Sequence, residues 1–236
     1  MSSVSADLLV LAFESSADQA SAAVLCADGR HWQQIHVARH GHAAIITELA
    51  ADVLAQAGIT AAALTHVAAG RGPGSFTGIR VALAAAKGFA LASGANGIGV
   101  SCLAAMAKDA RASGPDEAAG RLVATADTRR GSYFCQLFDP ASDRELPILE
   151  CLADGGQTLP DEWHGAAITG PGAAALGDAF PDHGMTVLPC LPPVDALQIA
   201  RLAVHRLTAG LPLEPLTPLY VAPAFLGPPR ARAPGS

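Results

Sequence analysis

The sequence predicts an α/β fold made of two related α/β lobes, the second of which is reduced. The chain opens with three strand-length segments, after which helices and strands alternate up to about residue 112. A shorter series of strands and helices then repeats this order, in pattern and not in letters. Such a repeat is typical of a duplicated fold whose lobes face each other across a cleft.

The first lobe is predicted over residues 1–112. Its opening strands are antiparallel, and Asp28-Gly29 forms a hairpin turn between the second and the third. A helix with apolar residues at helical spacing follows, and Gly58 stands where its C-cap belongs. The predicted strands are 8–13, 20–26, 31–37, 64–69 and 98–101, and the predicted helices are 43–57, 77–92 and 102–112.

The second lobe is predicted over residues 113–194, because Ser, Gly, Pro and Asp at 113–116 are the first clear punctuation. A terminal helix at 195–207 and an extended tail are predicted to pack back on the lobes over residues 195–225, and residues 226–236 to be disordered. The predicted strands of this lobe are 121–126, 132–138, 144–149 and 166–169, followed by a short helix at 173–180.

Composition excludes several classes of protein. Half of the 236 residues are hydrophobic, which is enough for a large core. The net charge of −6 argues against a protein that binds nucleic acid alone. The five cysteines are scattered without a C-x-x-C pair, which favours reduced thiols in a cytoplasmic protein. We expect no signal peptide and no membrane role, because the longest apolar stretch, 79–92, is too short and contains Lys87.

The most informative stretch is 69–87, where a strand enters a glycine-rich loop and an Ala-rich helix leaves it. One interpretation is a phosphate cradle, because glycines let backbone amides approach an anion. The other is a tight turn with positive φ angles that packs helix and strand closely. The spacing is not that of a P-loop and the phosphate-binding Lys is absent, which favours the tight turn.

The helix at 77–92 carries apolar residues on more than one face. A surface helix has a single apolar stripe. We therefore predict that this helix is buried on two sides, by its own sheet and by a second element. That second element is either part of the same domain or a partner protein.

Four segments resemble the TsaB (YeaZ-like) family, and they are G-R-G-P-G-S-F-T-G-I-R at 70–80, L-A-F-E-S-S at 11–16, D-T-R at 127–129 and P-L-Y-V-A-P at 218–223. The loop is a specific signature and the others support it. The resemblance covers nearly the whole chain and is weakest over 139–193. It implies an actin/Hsp70/sugar-kinase-like fold. It also implies membership of the bacterial machinery that installs threonylcarbamoyl on adenosine 37 of tRNA.

In that family the chemistry belongs to a paralogous partner, TsaD, with the ATPase TsaE as a third component. The resemblance therefore implies a non-catalytic subunit with no cofactor of its own, ATP and metal lying on the partner subunits. It further implies contact with tRNA only through the complex, and a homodimer when the subunit is alone. Pairing would use the first two helices. The interface residues predicted on them are Ile46, Leu49, Ala50, Val53, Ile79, Leu83, Ala86 and Lys87.

The sequence departs from the superfamily where ligands would bind. A kinase-type member needs an Asp and a glycine-bearing hairpin, and residues 14–17, E-S-S-A, supply a carboxylate but no glycine. Where TsaD-like enzymes carry an H-x-x-x-H metal pair, this chain has Cys102 and Met106, which we predict to be a core pair. We predict no metal site and a vestigial nucleotide cleft. Its residues are Glu14, Ser15, Gly72, Gly74, Ser75, Asp127 and Arg129.

Two enzymatic alternatives stay open. An autonomous phosphotransferase of this fold would bind ATP and magnesium alone, and a metallopeptidase would need the missing His pair. The set His36, His40 and His42 straddles a turn, so we predict no metal there and expect the last of them to begin the first helix. Asp127 and Arg129 form a charged pair beside the cleft, either as ligand groups or as a structural ion pair. Ser75 lacks the G-x-S-x-G elbow of a serine hydrolase.

Overall fold

The structure is a computed structural model that describes residues 8–113, 115–141, 146–189 and 191–221. Its first five-stranded sheet has the order β3-β2-β1-β4-β5. The first three strands are antiparallel, and β4 and β5 run parallel to β1. The strands are β1 Leu9–Ala17, β2 Gln19–Cys26, β3 His31–Val37, β4 His66–Gly70 and β5 Asn96–Val100.

The second sheet repeats this arrangement. Its strands are β6 Leu122–Asp127, β7 Ser132–Phe138, β8 Leu149–Leu152, β9 Ala167–Thr169 and β10 Thr186–Val187. The order β8-β7-β6-β9-β10 matches the first sheet position by position, with two antiparallel pairings followed by two parallel ones. The predicted pair of related α/β lobes is therefore confirmed, and with it the actin/Hsp70/sugar-kinase-like fold.

Five α-helices complete the described fold: α1 His42–Ala57, α2 Phe76–Ser93, α3 Cys102–Ser113, α4 Ala173–Ala179 and α5 Ala196–Thr208. Alternate residues of β1 serve two cores, because side chains along a strand point to opposite faces. Leu11 and Phe13 pack with α1 and α2, whereas Val10 and Ala12 pack with α3 and α5. Because α3 also contacts β6 and β7, it lies between the two lobes.

Local signals place several element ends where the sequence predicts them. Gly58 ends α1 with a φ of 68°, a left-handed conformation that glycine adopts without steric cost. Asp195 begins α5 in a capping box with Gln198. Strand β7 has the predicted bounds. The strand predicted at 144–149 is wrong, because β8 begins only at Leu149, and residues 142–145 lie outside the described chain.

The terminal helix and the segment after it pack against the first lobe. Helix α5 contacts β1, β2 and β4. The following segment runs beside β5, where the Gly99 amide donates to the Glu214 carbonyl at 2.7 Å and Leu216 is buried. The contacts of this segment with the first lobe continue to Leu219, whose amide donates to the Arg71 carbonyl at 2.8 Å. The disorder predicted for 226–236 falls outside the described residues.

Helix α2 is long and apolar enough, by length and composition alone, to cross a membrane, which for one helix is weak evidence. In the fold one of its faces packs on the sheet through Ile79, Ala82, Leu83 and Ala86. Only part of the helix is buried in this way. Its apolar character therefore has two sources, a core face and an outer face that the chain itself leaves open.

Candidate partner groove and cleft

The structure places most of the predicted interface residues inside the first lobe. Leu49 is half-buried, and Lys87 is exposed. The other six side chains belong to the core between the two helices and the sheet, and they are Ile46, Ala50, Val53, Ile79, Leu83 and Ala86. The prediction that these residues face a partner is wrong for Ala50, Val53, Ile79, Leu83 and Ala86, whereas Ile46 belongs to this core and also lines the groove described next. The six residues recur at helical spacing because that face packs on the chain's own sheet.

The opposite face of the same helices forms an open apolar groove. Its volume is about 760 Å³. Along α2 the exposed residues include five that follow each other at intervals of four, and they are Phe76, Arg80, Ala84, Gly88 and Ala92. Such i, i+4 positions form one ridge on a helix surface. The groove is lined by Ala43, Ile46 and Thr47 of α1, by Ala61, and by Phe76, Thr77, Arg80, Val81, Ala84, Ala85, Gly88, Phe89 and Ala92 of α2.

An aromatic and arginine cluster stands at one end of this groove. The Arg80 guanidinium lies over the Phe76 ring, 3.8 Å from its centroid. Arg80 also donates to the Tyr220 hydroxyl at 3.2 Å, and the Phe76 and Tyr220 rings are 6.1 Å apart. Arg, Tyr and other aromatic residues are enriched at protein interfaces. Farther along the helix, Leu91 is 88% exposed.

Sequence reasoning missed this groove because Ala and Gly lie on both faces of α2. The signal that could have identified it is the row from Phe76 through Arg80 and Ala84 to Gly88, a large anchor followed by small residues. A Cβ on Gly88 would meet no atom within 4 Å, so this glycine lies at an open surface.

The glycine loop packs tightly against the end of β1. The Ser75 amide donates to the Ser16 carbonyl at 2.8 Å, and the Ser15 hydroxyl donates to the Gly78 carbonyl at 2.7 Å. A Cβ on Gly78 would lie 1.8 Å from the Ser15 carbonyl oxygen. Gly72, with a φ of 94°, provides the turn. Because Ser15 and Ser16 lie directly against Gly78 and Gly74, these glycines let strand and helix pack closely, which supports the tight-turn interpretation.

Glu14 is buried beneath this loop, and its carboxylate is bonded within the chain. One oxygen accepts from the Ser16 amide at 2.5 Å, and the other accepts from the Cys102 thiol at 3.3 Å. Burial raises the pKa of the Glu14 carboxyl. Burial, and next the Glu14 charge, raises the pKa of the Cys102 thiol well above its usual range. Because both carboxylate oxygens already accept from groups of the chain and the Cys102 thiol is a donor, the pair does not fit a metal ion, which needs deprotonated ligands.

The cleft between the lobes is small and mostly apolar. Its volume is about 190 Å³, and Pro73, Gly74, Leu103 and Met106 are among its lining residues. Cys102 and Met106 both belong to the core cluster that includes α3, as predicted. Among the described residues no group of three or more His, Cys, Asp or Glu side chains could hold a metal.

Asp127 and Arg129 do not pair with each other through their side chains. The Asp127 carboxylate accepts from the Arg129 amide at 2.7 Å, which stabilises a turn with a φ of 62° at Arg129. The Arg129 guanidinium instead reaches Asp18 of the first lobe at 2.9 Å. This hydrogen bond lowers the pKa of the Asp18 carboxyl. The predicted local pair is wrong, because the geometry favours an ion pair that joins the two lobes.

Of the three histidines near α1, His42 contacts a backbone carbonyl. The His42 ring contacts the Ala38 carbonyl at 2.6 Å through Nε2, and this residue begins α1 as predicted. His36 lies on the exposed edge strand β3, and His40 follows in the turn. The three residues thus occupy a strand, a turn and a helix start.

Comparison with known proteins relates the chain to tRNA modification. Residues 33–144 match the family model described as TsaD: tRNA N6-adenosine threonylcarbamoyltransferase. The Escherichia coli protein named tRNA threonylcarbamoyladenosine biosynthesis protein TsaB is 34% identical over 126 residues. That match covers 53% of this chain and 52% of the relative, so the chain spans about half the length of that relative.

Two further matches cover most of the chain. An uncharacterized protein of Mycobacterium tuberculosis is 30% identical over 190 residues, which are 80% of this chain and 79% of that protein. The solved structure of YeaZ from Pseudomonas aeruginosa is 26% identical, with a TM-score of 0.69 over 90% of this chain and 99% of that one. The glycine-loop signature, the duplicated lobes and these matches agree, and the chain belongs to the TsaB (YeaZ-like) family.

Proposed function

We propose that this chain is a non-catalytic subunit that binds and activates a TsaD-like catalytic paralogue in the biosynthesis of threonylcarbamoyladenosine in tRNA. The observation that carries the proposal is the exposed groove between α1 and α2. A contiguous apolar surface that the chain leaves uncovered is typical of a protein interaction site. The aromatic and arginine cluster of Phe76, Arg80 and Tyr220 provides anchors at its end.

A paralogue of the same fold is the partner that this surface fits best. Family relatives act in the same modification, and a TsaD model matches part of this chain. A partner that binds only the competent conformation of an enzyme shifts the enzyme toward that conformation. In the absence of the partner we expect a homodimer through the same groove, because leaving such a patch in water is costly.

The cleft supports the non-catalytic part of the proposal. Both carboxylate oxygens of Glu14 are used within the chain, and Ser15 and Ser16 lie directly against two glycines of the loop, Gly78 and Gly74. We therefore assign ATP and metal to the partner subunits, which include a TsaE-like ATPase. With a net charge of −6, the chain would contact tRNA only through the complex. Its expected compartment is the cytoplasm.

An autonomous phosphotransferase is the alternative function. It predicts that the isolated chain binds ATP with magnesium, which titration calorimetry measures directly. We expect no heat of binding. Saturable ATP binding that is abolished by Glu14→Gln would contradict the proposal.

The substitution Ala84→Glu tests the groove. Ala84 is exposed in the middle of α2, so the fold tolerates the change. A carboxylate buried in an apolar interface without a partner should weaken association with the TsaD-like subunit by about 100-fold or more. Calorimetry measures the affinity, a modification assay on tRNA measures activation, and light scattering measures the homodimer.

The matched control is Ala174→Glu. Ala174 is exposed on α4 of the second lobe, far from the groove in the chain. This variant should bind the partner and support modification as the natural chain does. Ala84→Glu with unchanged affinity for the TsaD-like subunit, or modification that proceeds without this chain, would refute the proposal.

A further inference from the structure

A second cavity lies at the carboxyl ends of β4 and β5, and it has no part in the proposed function. Its volume is about 360 Å³. Arg71 directly follows β4 and Ser101 directly follows β5, and both line it. The second lobe contributes Gln136 of β7, and α5 contributes Arg206. In α/β sheets the carboxyl edge of parallel strands is the usual place for a ligand.

Gln136 is the unusual residue of this cavity. Only 2% of it is exposed. Its amide nitrogen donates to the Leu146 carbonyl at 2.8 Å, whereas its amide oxygen has no hydrogen-bond partner among the described residues. A buried acceptor without a donor is costly and uncommon in folded proteins. The Gln136 oxygen is therefore an unsatisfied acceptor in a residue that lines the cavity.

The charged groups around the cavity differ in how they are paired within the chain. Arg71 is held by the Glu214 carboxylate at 2.7 Å and by the Thr217 carbonyl at 3.0 Å. The Arg206 guanidinium donates to the Pro212 carbonyl at 3.3 Å and makes no ion pair among the described residues. The Ser101 oxygen accepts from the Ala104 amide, which leaves its proton free to donate. The cavity is thus lined by two guanidinium groups, the Glu214 carboxylate and the Ser101 hydroxyl, together with Gln136, whose amide oxygen lacks a donor.

We propose that this cavity binds a small aliphatic amino acid. Arg206 and the Ser101 hydroxyl would hold its carboxylate, while Gln136 and Glu214 would accept from its ammonium group. Leu146, Ile148 and Leu219, which also line the cavity, provide an apolar wall for the side chain. An anion alone would leave the Gln136 oxygen without a donor, and an amine alone would leave Arg206 without a carboxylate.

To test this, the full chain is titrated with glycine, L-alanine, L-valine and L-leucine, and calorimetry or ligand-observed NMR measures the binding. We expect saturable binding of at least one of the larger three. Two analogues of valine separate the contacts, since 3-methylbutyrate lacks the ammonium and isobutylamine lacks the carboxylate. Each should bind about tenfold more weakly than valine, or not at all.

Two variants locate the binding site. Arg206→Gln and Gln136→Leu should each weaken amino-acid binding by about tenfold or more, while Arg201→Gln, an exposed change on the same helix outside the cavity, should leave it unchanged. Circular dichroism checks the fold. If Gln136→Leu fails to fold, the Arg206 variant alone decides. Absence of saturable binding by every amino acid tested, or binding that survives both variants, would overturn the proposal.

Discussion

The two lobes share one sheet topology and differ in what covers it. Between β3 and β4 the first lobe has α1, of 16 residues, whereas the described chain between β8 and β9 has a 3₁₀ turn of three residues at Asp161–Trp163. Helix α2 has 18 residues, and α4, its counterpart, has seven. Two long neighbouring helices can form a groove, and one short helix cannot. The extra helical length of the first lobe therefore creates the surface to which we assign partner binding.

Both lobes have tightly packed glycines in the loop before a helix. In the first lobe Gly78 allows the backbone of β1 to approach α2. In the second lobe a Cβ on Gly170 would lie 2.4 Å from the Thr125 carbonyl oxygen, and one on Gly172 would meet the Tyr133 ring. Because each loop has a glycine that lies against backbone, which cannot rotate away, we expect both loops to be sensitive to substitution.

The largest expected effect comes from placing a charge on the buried face of α2, in comparison with the same charge on its exposed face. Leu83→Glu places a carboxylate in the core of the first lobe, where this residue is 3% exposed. We expect the free energy of unfolding to fall by about 4 kcal/mol or more. Ala84→Glu, one position along, should change it by less than about 0.5 kcal/mol. Denaturant unfolding measures both, and a stable Leu83→Glu chain that has lost only its partner would reverse our assignment of the faces.

A smaller effect on stability is expected from replacing glycines of the first lobe by alanine, because Gly78 is tightly packed and Gly88 lies at an open surface. In Gly78→Ala the new methyl group meets the Ser15 carbonyl, so we expect a loss of about 2 kcal/mol of stability. In Gly88→Ala the methyl group enters open space, and the better helix propensity of alanine should add about 0.5–1 kcal/mol. Thermal unfolding of the two variants would contradict this account if both shifted in the same direction.

The smallest expected effect concerns the ion pair between the lobes. The Arg129 hydrogen bond lowers the pKa of Asp18 in the folded chain. The stabilisation given by this ion pair is therefore fully present above the pKa of Asp18 in the unfolded chain, near 3.8. It is lost as the pH falls through the lower pKa that Asp18 has in the folded chain. Both side chains are more than 40% exposed, so Asp18→Asn should cost less than about 0.5 kcal/mol at pH 7.

Urea unfolding at neutral and at strongly acidic pH would measure this dependence. The difference between Asp18→Asn and the natural chain should vanish in acid. Asp52→Asn is the control, because Asp52 is exposed on α1 and makes no ion pair among the described residues. An effect of Asp18→Asn that is equal at both pH values would mean that the pair does not stabilise the fold through charge.

Much of the fold could be predicted from local patterns. The apolar run of β2, the strand-length segment of β7, the helical spacing in α1 and the glycine at position 58 are all features of neighbouring residues in the chain. The strand at β8 could not be placed, because its four residues carry little pattern and its register comes from pairing with β7. Long-range pairing overrides weak local preference.

The functional surface was predicted only as far as the helices that carry it. Their apolar spacing identifies a packed face, and the sequence does not say whether the sheet or a partner packs on it. Ala82 is buried and Ala84 is exposed, although the two residues are chemically identical. In the cleft the departures at Glu14 and Cys102 were visible in the sequence, and their hydrogen bond to each other was not.

By itself the sequence determined most of the elements, their order, the duplication and the family signature, since the spacing of apolar residues in strands and helices is a property of neighbouring residues. The tertiary structure alone decided which face of α2 is open, that Arg129 reaches Asp18, and that Ser15 closes the glycine loop against Gly78. These contacts join residues far apart in the chain, 63 positions in the last case. Their geometry follows from how sheet, helices and lobes pack together, which local periodicity does not contain.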